Sequence, residues 1–432
     1  MNHGQPENVN FERNYESEHS ELPTTAQPQA AGELATYDQK VTWLELFFDL
    51  IFVTSFDQLA KRLGDTVSGE NILIFLVMFL ALWSVWSGNT LYSARFGNET
   101  RIYRWGTIFE LFTLGALSLA LRGDLDHVGW LFAGAYAVNR FTLATMHMLG
   151  GRLTPETRDY ARVTALGLAA SGLLWLLSIP LDGVARLATW GVALGITVLT
   201  PVLARRYHGS ITPHHDHLPE RVGLLQIIAL GGIFTEVVGG GRKQEMTLAA
   251  QLPSVLALVT TVALFRLYFD QSRTLPVIVA NLHDRGSTLM TWLYAHTPLT
   301  IAIMMVGVGF GHGIAYEDAH HDQQNLALVA WPMAVTFLSL AFIRWNSVRF
   351  TRFQVLDRSM GALLLGAAAS VALAFSHLDT LALHAAVAAV TVLAAFATAT
   401  DPASRRLGEL EEKVVEDRLG EDGEGQEKEQ KS

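Results

Sequence analysis

Long apolar segments separated by short polar connectors run through the sequence from residue 43 to residue 400. About 20 predominantly apolar residues are enough to cross the hydrocarbon core of a bilayer as a helix. Twelve segments of this kind are predicted to span a membrane, at residues 43–61, 71–92, 105–121, 128–149, 163–181, 186–204, 222–240, 252–270, 288–310, 326–344, 359–376 and 380–400. A closed β-barrel would need short alternating strands, which the pattern lacks. The sequence therefore predicts an all-α, polytopic integral membrane bundle of about 12 transmembrane helices.

The acidic residues are concentrated at the two ends of the chain. The net charge is −10, of which residues 1–40 and residues 401–432 contribute −5 each, while residues 41–400 carry equal numbers of acids and bases. We predict a disordered acidic cytoplasmic tail at 1–40, a transmembrane domain at 41–400 and a second acidic cytoplasmic tail at 401–432, with a short helix near 409–419. Because no connector exceeds about twenty residues, any activity must lie in the bundle or on its rim.

The distribution of Lys and Arg predicts the orientation of the bundle. The connectors after the even-numbered spans, with the adjoining span ends, hold 15 Lys and Arg, against 6 after the odd-numbered spans. Positive residues are retained on the cytoplasmic side, so both termini are expected there, in the inner membrane of a bacterial cell. The first forty residues contain no apolar segment typical of a cleavable signal peptide.

The first predicted span contains the most unusual charges. Glu45 and Asp49 are four residues apart and therefore share one face of the helix, and Asp57 follows on a neighbouring face. Two carboxyl groups so close together do not both ionise easily, so the pair could hold and release a proton or coordinate a cation. Alternatively, the two residues are helix-start acids that pair with arginines.

Further ionisable residues fall inside other predicted spans, where charge is costly and usually partnered. The candidate site therefore extends, beyond the first helix, to a basic residue, two acids and a histidine: Arg140, Glu236, Asp270 and His296. Asp270 can pair with Arg266 on its own helix, and Glu110 is a second carboxyl group in mid-span. A membrane histidine such as His296 could shuttle protons or bind metal, although most are hydrogen-bonded core residues.

Several other classes of site are disfavoured. The chain has no cysteine, which excludes disulfides and thiolate nucleophiles. It lacks the Gly-x-Ser-x-Gly and His-Glu-x-x-His motifs, which makes an enzyme less expected. The histidine-rich connectors at 208–217 and 312–322 lack regular ligand spacing, so we expect solvated loops and neither metal sites nor cofactors.

The glycine-rich run at 307–313 predicts close packing of helix backbones. Basic and aromatic residues at the rim indicate contact with membrane lipids and not with nucleic acid.

The residues at 42–53, TWLELFFDLIFV, resemble the opening signature of the bacterial low temperature requirement protein A family. Later stretches follow the order of that family, over roughly residues 40 to 400. They are Trp83 and Trp86 with Tyr92, Arg95 and Phe96; Ala135-Tyr136 with Arg140; Glu220-Arg221 before Ile227-Ile228-Ala229-Leu230-Gly231; Tyr268-Phe269-Asp270; and Tyr294-x-His296-x-Pro298-Leu299.

Two positions depart from the family pattern. The family usually has Gly-Glu where this chain has Gly231-Gly232, and Glu236 lies one helical turn later. An acid often found after the Tyr…Arg-Phe motif is Gly97 here. The resemblance implies a multi-pass membrane protein linked by name to growth in the cold.

The in-membrane charges favour a transporter or channel for a proton, a cation or a small coupled solute, with Glu45 and Asp49 at its coupling site. Three alternatives stay open: an enzyme acting on lipid through Asp49 and His296, a haem or metal protein using the membrane histidines, and a non-catalytic adaptor that recruits partners through its acidic tails. The oligomeric state is not predicted.

Overall fold

The structure, a computed structural model, describes residues 40–413 except for short segments at 66–67, 122, 154–156, 205–206, 208–216, 272–273, 283–285, 317–321, 350 and 352–354. Every regular element in these described residues is a helix, which confirms the predicted all-α class. The helices are α1 (Trp43–Asp65), α2 (Gly69–Phe96), α3 (Arg101–Ala120), α4 (Leu125–Leu153), α5 (Arg158–Leu177), α6 (Gly183–Leu203), α7 (His217–Gly241), α8 (Leu248–Gln271), α9 (Leu275–Leu282), α10 (Gly286–Ala315), α11 (Asp322–Val348), α12 (Arg358–Ala374) and α13 (Thr380–Ala399). A further helix, α14, covers residues 402–413. Most of the two predicted tails, at 1–39 and 414–432, lies outside the described residues.

Eight helices in the described part of the chain are long and apolar enough to cross a bilayer, namely α2, α5, α6, α7, α8, α10, α11 and α13. The four other predicted spans coincide with α1, α3 and α4, which carry more charge, and with α12, which has 17 residues. Large apolar side chains also face outward: Trp105, Phe112, Leu166 and Leu365 are each at least 70% exposed. Such a surface suits contact with lipid chains. The chain is therefore a polytopic membrane bundle, whereas the count of twelve spans stays a prediction.

Helix α1 packs one face against α2, α3, α7 and α10, while Trp43, Phe47 and Leu50 on its other face are exposed. Phe48 and Phe52 are fully buried, and the ring of Phe56 stacks on Phe79 of α2 with centroids 5.4 Å apart. Because one face of α1 packs against these helices, the carboxylates on that face point into protein instead of lipid, as the cost of charge in a membrane requires.

Glycines allow α10 to approach two neighbouring helices closely. A Cβ added to Gly311 would lie 2.8 Å from the carbonyl oxygen of Glu236 in α7, and one added to Gly240 of α7 would lie 2.5 Å from the carbonyl oxygen of Gly311. On another face, a Cβ at Gly309 would lie 2.6 Å from the carbonyl oxygen of Leu328 in α11. These distances confirm the close packing predicted for the 307–313 run.

Replacing Gly240 with alanine is expected to destabilise the bundle by about 1–3 kcal/mol, because the added methyl group meets the backbone of α10. Gly239→Ala is a matched control, since a Cβ there meets nothing within 4 Å and alanine favours the helix. Thermal unfolding in detergent, followed by tryptophan fluorescence, should place Gly240→Ala below wild type and Gly239→Ala at or above it. Equal unfolding temperatures for the two variants would show that the helices separate at little cost.

A polar cluster fastens α14 to the ends of α8, α11 and α12. Arg344 of α11 donates to both carboxylate oxygens of Asp357 and, through Nη1, to Gln271 of α8 at 2.6 Å and to Ser404 of α14 at 2.9 Å. Burial alone would raise the pKa of Asp401, but hydrogen bonds from Ser359 and the nearby Arg344 hold that pKa below its usual value. Residues 402–413 are therefore part of the folded bundle, and they include the first half of the helix predicted near 409–419.

Candidate functional site

Glu45 begins the candidate site in the first turn of α1. The backbone N–H of Thr42 donates to Glu45 Oε2 at 2.9 Å, and the Thr42 hydroxyl lies 3.4 Å from the backbone N–H of Glu45. This reciprocal arrangement is a capping box, which satisfies backbone donors at a helix start. Glu45 Oε2 also accepts a hydrogen bond from Asn98 at 3.0 Å, and the residue is fully buried. The interpretation of Glu45 as a helix-start acid therefore has direct structural support, and any ion-binding role comes in addition to it.

Asp49 lies one turn further along the same face of α1 and is 2% exposed. Its Oδ1 atom accepts hydrogen bonds from the indole N–H of Trp86 at 3.0 Å and from Nη2 of Arg221 at 2.8 Å. The second oxygen, Oδ2, is buried and accepts no hydrogen bond from any described residue. A buried carboxylate oxygen without a donor is unusual, because an unsatisfied polar atom costs free energy. Asp49 thus has an acceptor position open to a proton or a cation.

Arg221 and His217 of α7 supply the groups that face both carboxylates. Arg221 Nη1 lies 3.0 Å from Glu45 Oε1, and His217 Nε2 lies 3.0 Å from the same oxygen. Both residues of α7 are fully buried. Two carboxylates and one guanidinium carry a formal charge of −1 when the imidazole is neutral. One proton or one monovalent cation therefore neutralises the cluster, which we call the α1–α7 cluster and define by Glu45, Asp49, His217 and Arg221.

Sequence reasoning did not find Arg221 or His217 as site residues. Arg221 falls one residue before the predicted seventh span, and His217 belongs to a connector that was expected to be a solvated loop. The available signal was the spacing: His217 and Arg221 are four residues apart, as are Glu45 and Asp49, so each pair lies along one helix face. Only the fold shows that the two faces meet.

Arg140, in contrast, does not join the α1–α7 cluster. Its guanidinium is fully buried, but it donates to the carbonyl oxygen of Ser84 at 3.1 Å and to Asn139 Oδ1 at 2.6 Å. Its Cζ lies 4.9 Å from the ring centroid of Tyr136, one turn earlier on α4. Arg140, predicted as a candidate site residue, therefore lies apart from the two acids of α1, and among the described residues Arg221 is their guanidinium partner.

Asp57 and Glu236 line a small cavity further along the interface of α1 and α7. The cavity has a volume of about 30 Å³, and Met304 of α10 also lines it. A volume of this size accommodates a water molecule or a small ion. Asp57 is half-buried and forms an ion pair of 2.7 Å with Lys61, one turn later on α1. The same helix pair therefore places two predicted site residues at a second position, about 12 Å along α1 from Asp49.

The two remaining candidates lie elsewhere. Asp270 pairs with Arg266 on α8 at 3.5 Å, as their spacing predicts. The Nδ1 atom of His296 lies 2.8 Å from the carbonyl oxygen of Trp292, and its ring packs edge-on against Tyr268. None of the contacts described for His296 reaches the α1–α7 cluster.

The histidine-rich connectors lie mostly outside the described residues, at 208–216 and 317–321. Within the described part of the chain, no group of three or more His, Asp or Glu side chains has the geometry to hold a metal ion. His147, His296 and His384 are buried on three different helices.

The sequence of this chain is similar to those of known proteins. The family described as bacterial low temperature requirement A protein (LtrA) matches residues 40–395, which include all helices from α1 to α12 and most of α13. This chain belongs to the LtrA family. It is 27% identical over 296 residues to the uncharacterized protein RA0937 of Rhizobium meliloti (strain 1021), a match that covers 65% of this chain and 71% of that protein. No solved structure matches this LtrA-family chain significantly.

Membership in the LtrA family confirms the resemblance noted at 42–53 and in the stretches that follow. Those stretches contribute Glu45 and Asp49 from the opening signature, Trp86 from α2 and Arg221 from α7. In this LtrA-family protein the four residues come together in one buried contact, so sequence motifs that are far apart in the chain form a single site.

Proposed function

We propose that this protein transports or conducts a proton, a small cation or a small solute coupled to one of them across the inner membrane of a bacterial cell. The α1–α7 cluster is the coupling site. The observation that carries the proposal is the buried Oδ2 atom of Asp49, which no described residue contacts by a hydrogen bond, in a cluster whose formal charge is −1 when the His217 imidazole is neutral. Ionisable residues inside membrane proteins commonly mark ion and proton pathways.

The position of the cluster supports a role in binding the ion as it enters from one side of the membrane. Glu45 and His217 lie in the first turns of α1 and α7, at one end of each helix. The positive-inside bias places that end in the cytoplasm, together with both termini. Asp57 and Glu236 lie deeper along the same interface. The two groups would bind an ion in succession as it moves between α1 and α7.

The family description connects these proteins with a low temperature requirement, and we propose that this protein supports growth in the cold. Membrane lipids surround its apolar surface and are its expected partners, together with the transported ion or solute. An ion-transport function fits such a setting, because transport rates fall as a membrane cools and stiffens.

Reconstitution into sealed vesicles tests the proposal. The wild-type protein should dissipate an imposed proton, potassium or sodium gradient faster than protein-free vesicles, as reported by fluorescent indicators enclosed in the vesicles. If correctly folded protein leaves all three gradients unchanged, the transport function is wrong. An enzyme that acts on lipid would then be the better hypothesis, and a changed lipid profile in a deletion strain would support it.

A further inference from the structure

Glu110 of α3 is a buried carboxyl group outside the α1–α7 cluster. Its side chain is fully buried, and among the described residues no Lys, Arg or His lies within ion-pair distance of it. Oε2 accepts a hydrogen bond from Asn89 Nδ2 at 2.8 Å, whereas Oε1 is buried and has no hydrogen-bond partner in the described part of the chain. A carboxylate held by one neutral amide is poorly compensated in a low-dielectric interior.

A line of polar side chains runs from Glu110 towards the α1–α7 cluster. Asn89 of α2 donates to Glu110 and accepts a hydrogen bond from the Tyr103 hydroxyl at 3.1 Å. Tyr103, in the first turn of α3, interacts electrostatically with both Glu45 and Arg221. Glu110 lies seven residues deeper along α3 than Tyr103, about 10 Å further from that end of the helix. The polar line therefore leads from the cluster towards the middle of the bundle.

The charged and titratable groups around Glu110 come from the elements packed against α3. Arg140 of α4 and Tyr92 of α2 interact with it electrostatically. Arg140 directs its donors to Ser84 and Asn139 instead of to Glu110. From α1, Glu45 interacts electrostatically with Tyr103. Arg140 can therefore stabilise a transient negative charge on Glu110 without fixing it as an ion pair.

We infer that Glu110 is a second proton-binding site on the transport pathway, deeper in the bundle than the α1–α7 cluster. The inference rests on the proposed transport function and identifies the proton as the coupling ion. The proton binds at Oε1, because Oε2 already accepts from an amide that can only donate. When Glu110 releases its proton, Glu110 becomes a carboxylate. The proton neutralises a carboxylate of the cluster, so the total charge does not change. Asn89 and Tyr103 are positioning residues for this exchange.

Infrared spectroscopy of the purified protein tests proton binding independently of transport. Exposed carboxyl groups titrate near about pH 4, so a protonated-carboxyl band in wild type at pH 7 marks a buried group. Glu110→Gln keeps an oxygen that can accept from Asn89, and it should remove that band or part of it. Glu70→Gln, at an exposed acid in the first turn of α2, should leave the band intact. A wild-type spectrum without the band, or an unchanged band in Glu110→Gln, would overturn the inference.

Proton flux in vesicles then tests the role in transport. We expect Glu110→Gln to lower flux driven by a pH gradient at least about tenfold, and Glu70→Gln to leave it unchanged. If the band disappears but flux persists, Glu110 holds a structural proton and its place on the pathway is wrong. If wild type shows the band but no flux at all, the proposed transport function is wrong. The spectrum would still show that Glu110 binds a proton, so the two failures can be told apart.

Discussion

Replacing Arg221 with glutamine should destabilise the folded protein by about 3–5 kcal/mol, because it leaves Glu45 and Asp49 buried without their guanidinium partner. Breaking a buried ion pair on one side is far more costly than removing both partners, since the remaining charge keeps its desolvation penalty. The yield of monodisperse protein in detergent and its unfolding temperature both measure this effect. Arg266→Gln is the control: Arg266 is 61% exposed and its pair lies on its own helix, so a change below about 1 kcal/mol is expected.

A compensating variant separates the electrostatic explanation from simple loss of packing. In Glu45→Gln/Asp49→Asn/Arg221→Gln, the charges of both ion pairs are removed, the two acids are replaced by amides of the same shape, and position 221 carries the same residue as in the single variant. Because neutral hydrogen-bonded groups are much cheaper to bury than an unpaired charge, this triple variant should recover most of the stability lost in Arg221→Gln. If the triple variant is as unstable as Arg221→Gln, the packing of the arginine and not its charge holds α1 against α7.

The second large effect concerns flux. Asp49→Asn keeps Oδ1 as the acceptor for Trp86 and Arg221 but removes the negative charge of the Asp49 carboxylate. A charge-assisted contact contributes about 1.5–3 kcal/mol, so ion binding, and with it flux below saturation, should fall about 10- to 100-fold. The measurement is ion flux in vesicles that contain equal amounts of folded wild type, Asp49→Asn and the control Glu70→Gln. Wild-type flux from folded Asp49→Asn would remove Asp49 from the pathway.

The membrane architecture was predictable because it depends on local properties of the chain. Every predicted span coincides with a helix, since a run of apolar residues in lipid has to satisfy its backbone within itself. The eight-residue α9 was missed, because so short a helix cannot cross a bilayer. The Gly240–Gly311 contact could be predicted only in part from the sequence. The glycine run indicated close packing of helices, but which helix packs against it depends on the fold.

Only the residues that α1 contributes to the site could be predicted from the sequence. The spacing of Glu45 and Asp49 placed them on a common face, and their charge predicted partners. The choice of Arg221 over Arg140 depends on how α7 and α4 are arranged around α1, which no local pattern encodes. Asn98 contacts Glu45 from the segment between α2 and α3, and Tyr103 donates to Asn89 from the first turn of α3. Other contacts join residues much further apart, such as Asp49 and Arg221 at 172 positions, and their pairing is a property of the packed bundle.

The most direct test of whether the α1–α7 cluster is a coupling site and not merely a structural ion pair is the ion flux of the folded triple variant Glu45→Gln/Asp49→Asn/Arg221→Gln. Its flux should be compared with that of wild type in the same vesicles. A coupling site predicts a stable protein whose flux falls to the level of protein-free vesicles. A triple variant that carries ions as fast as wild type would contradict the account, because the buried charges would then serve only to join two helices.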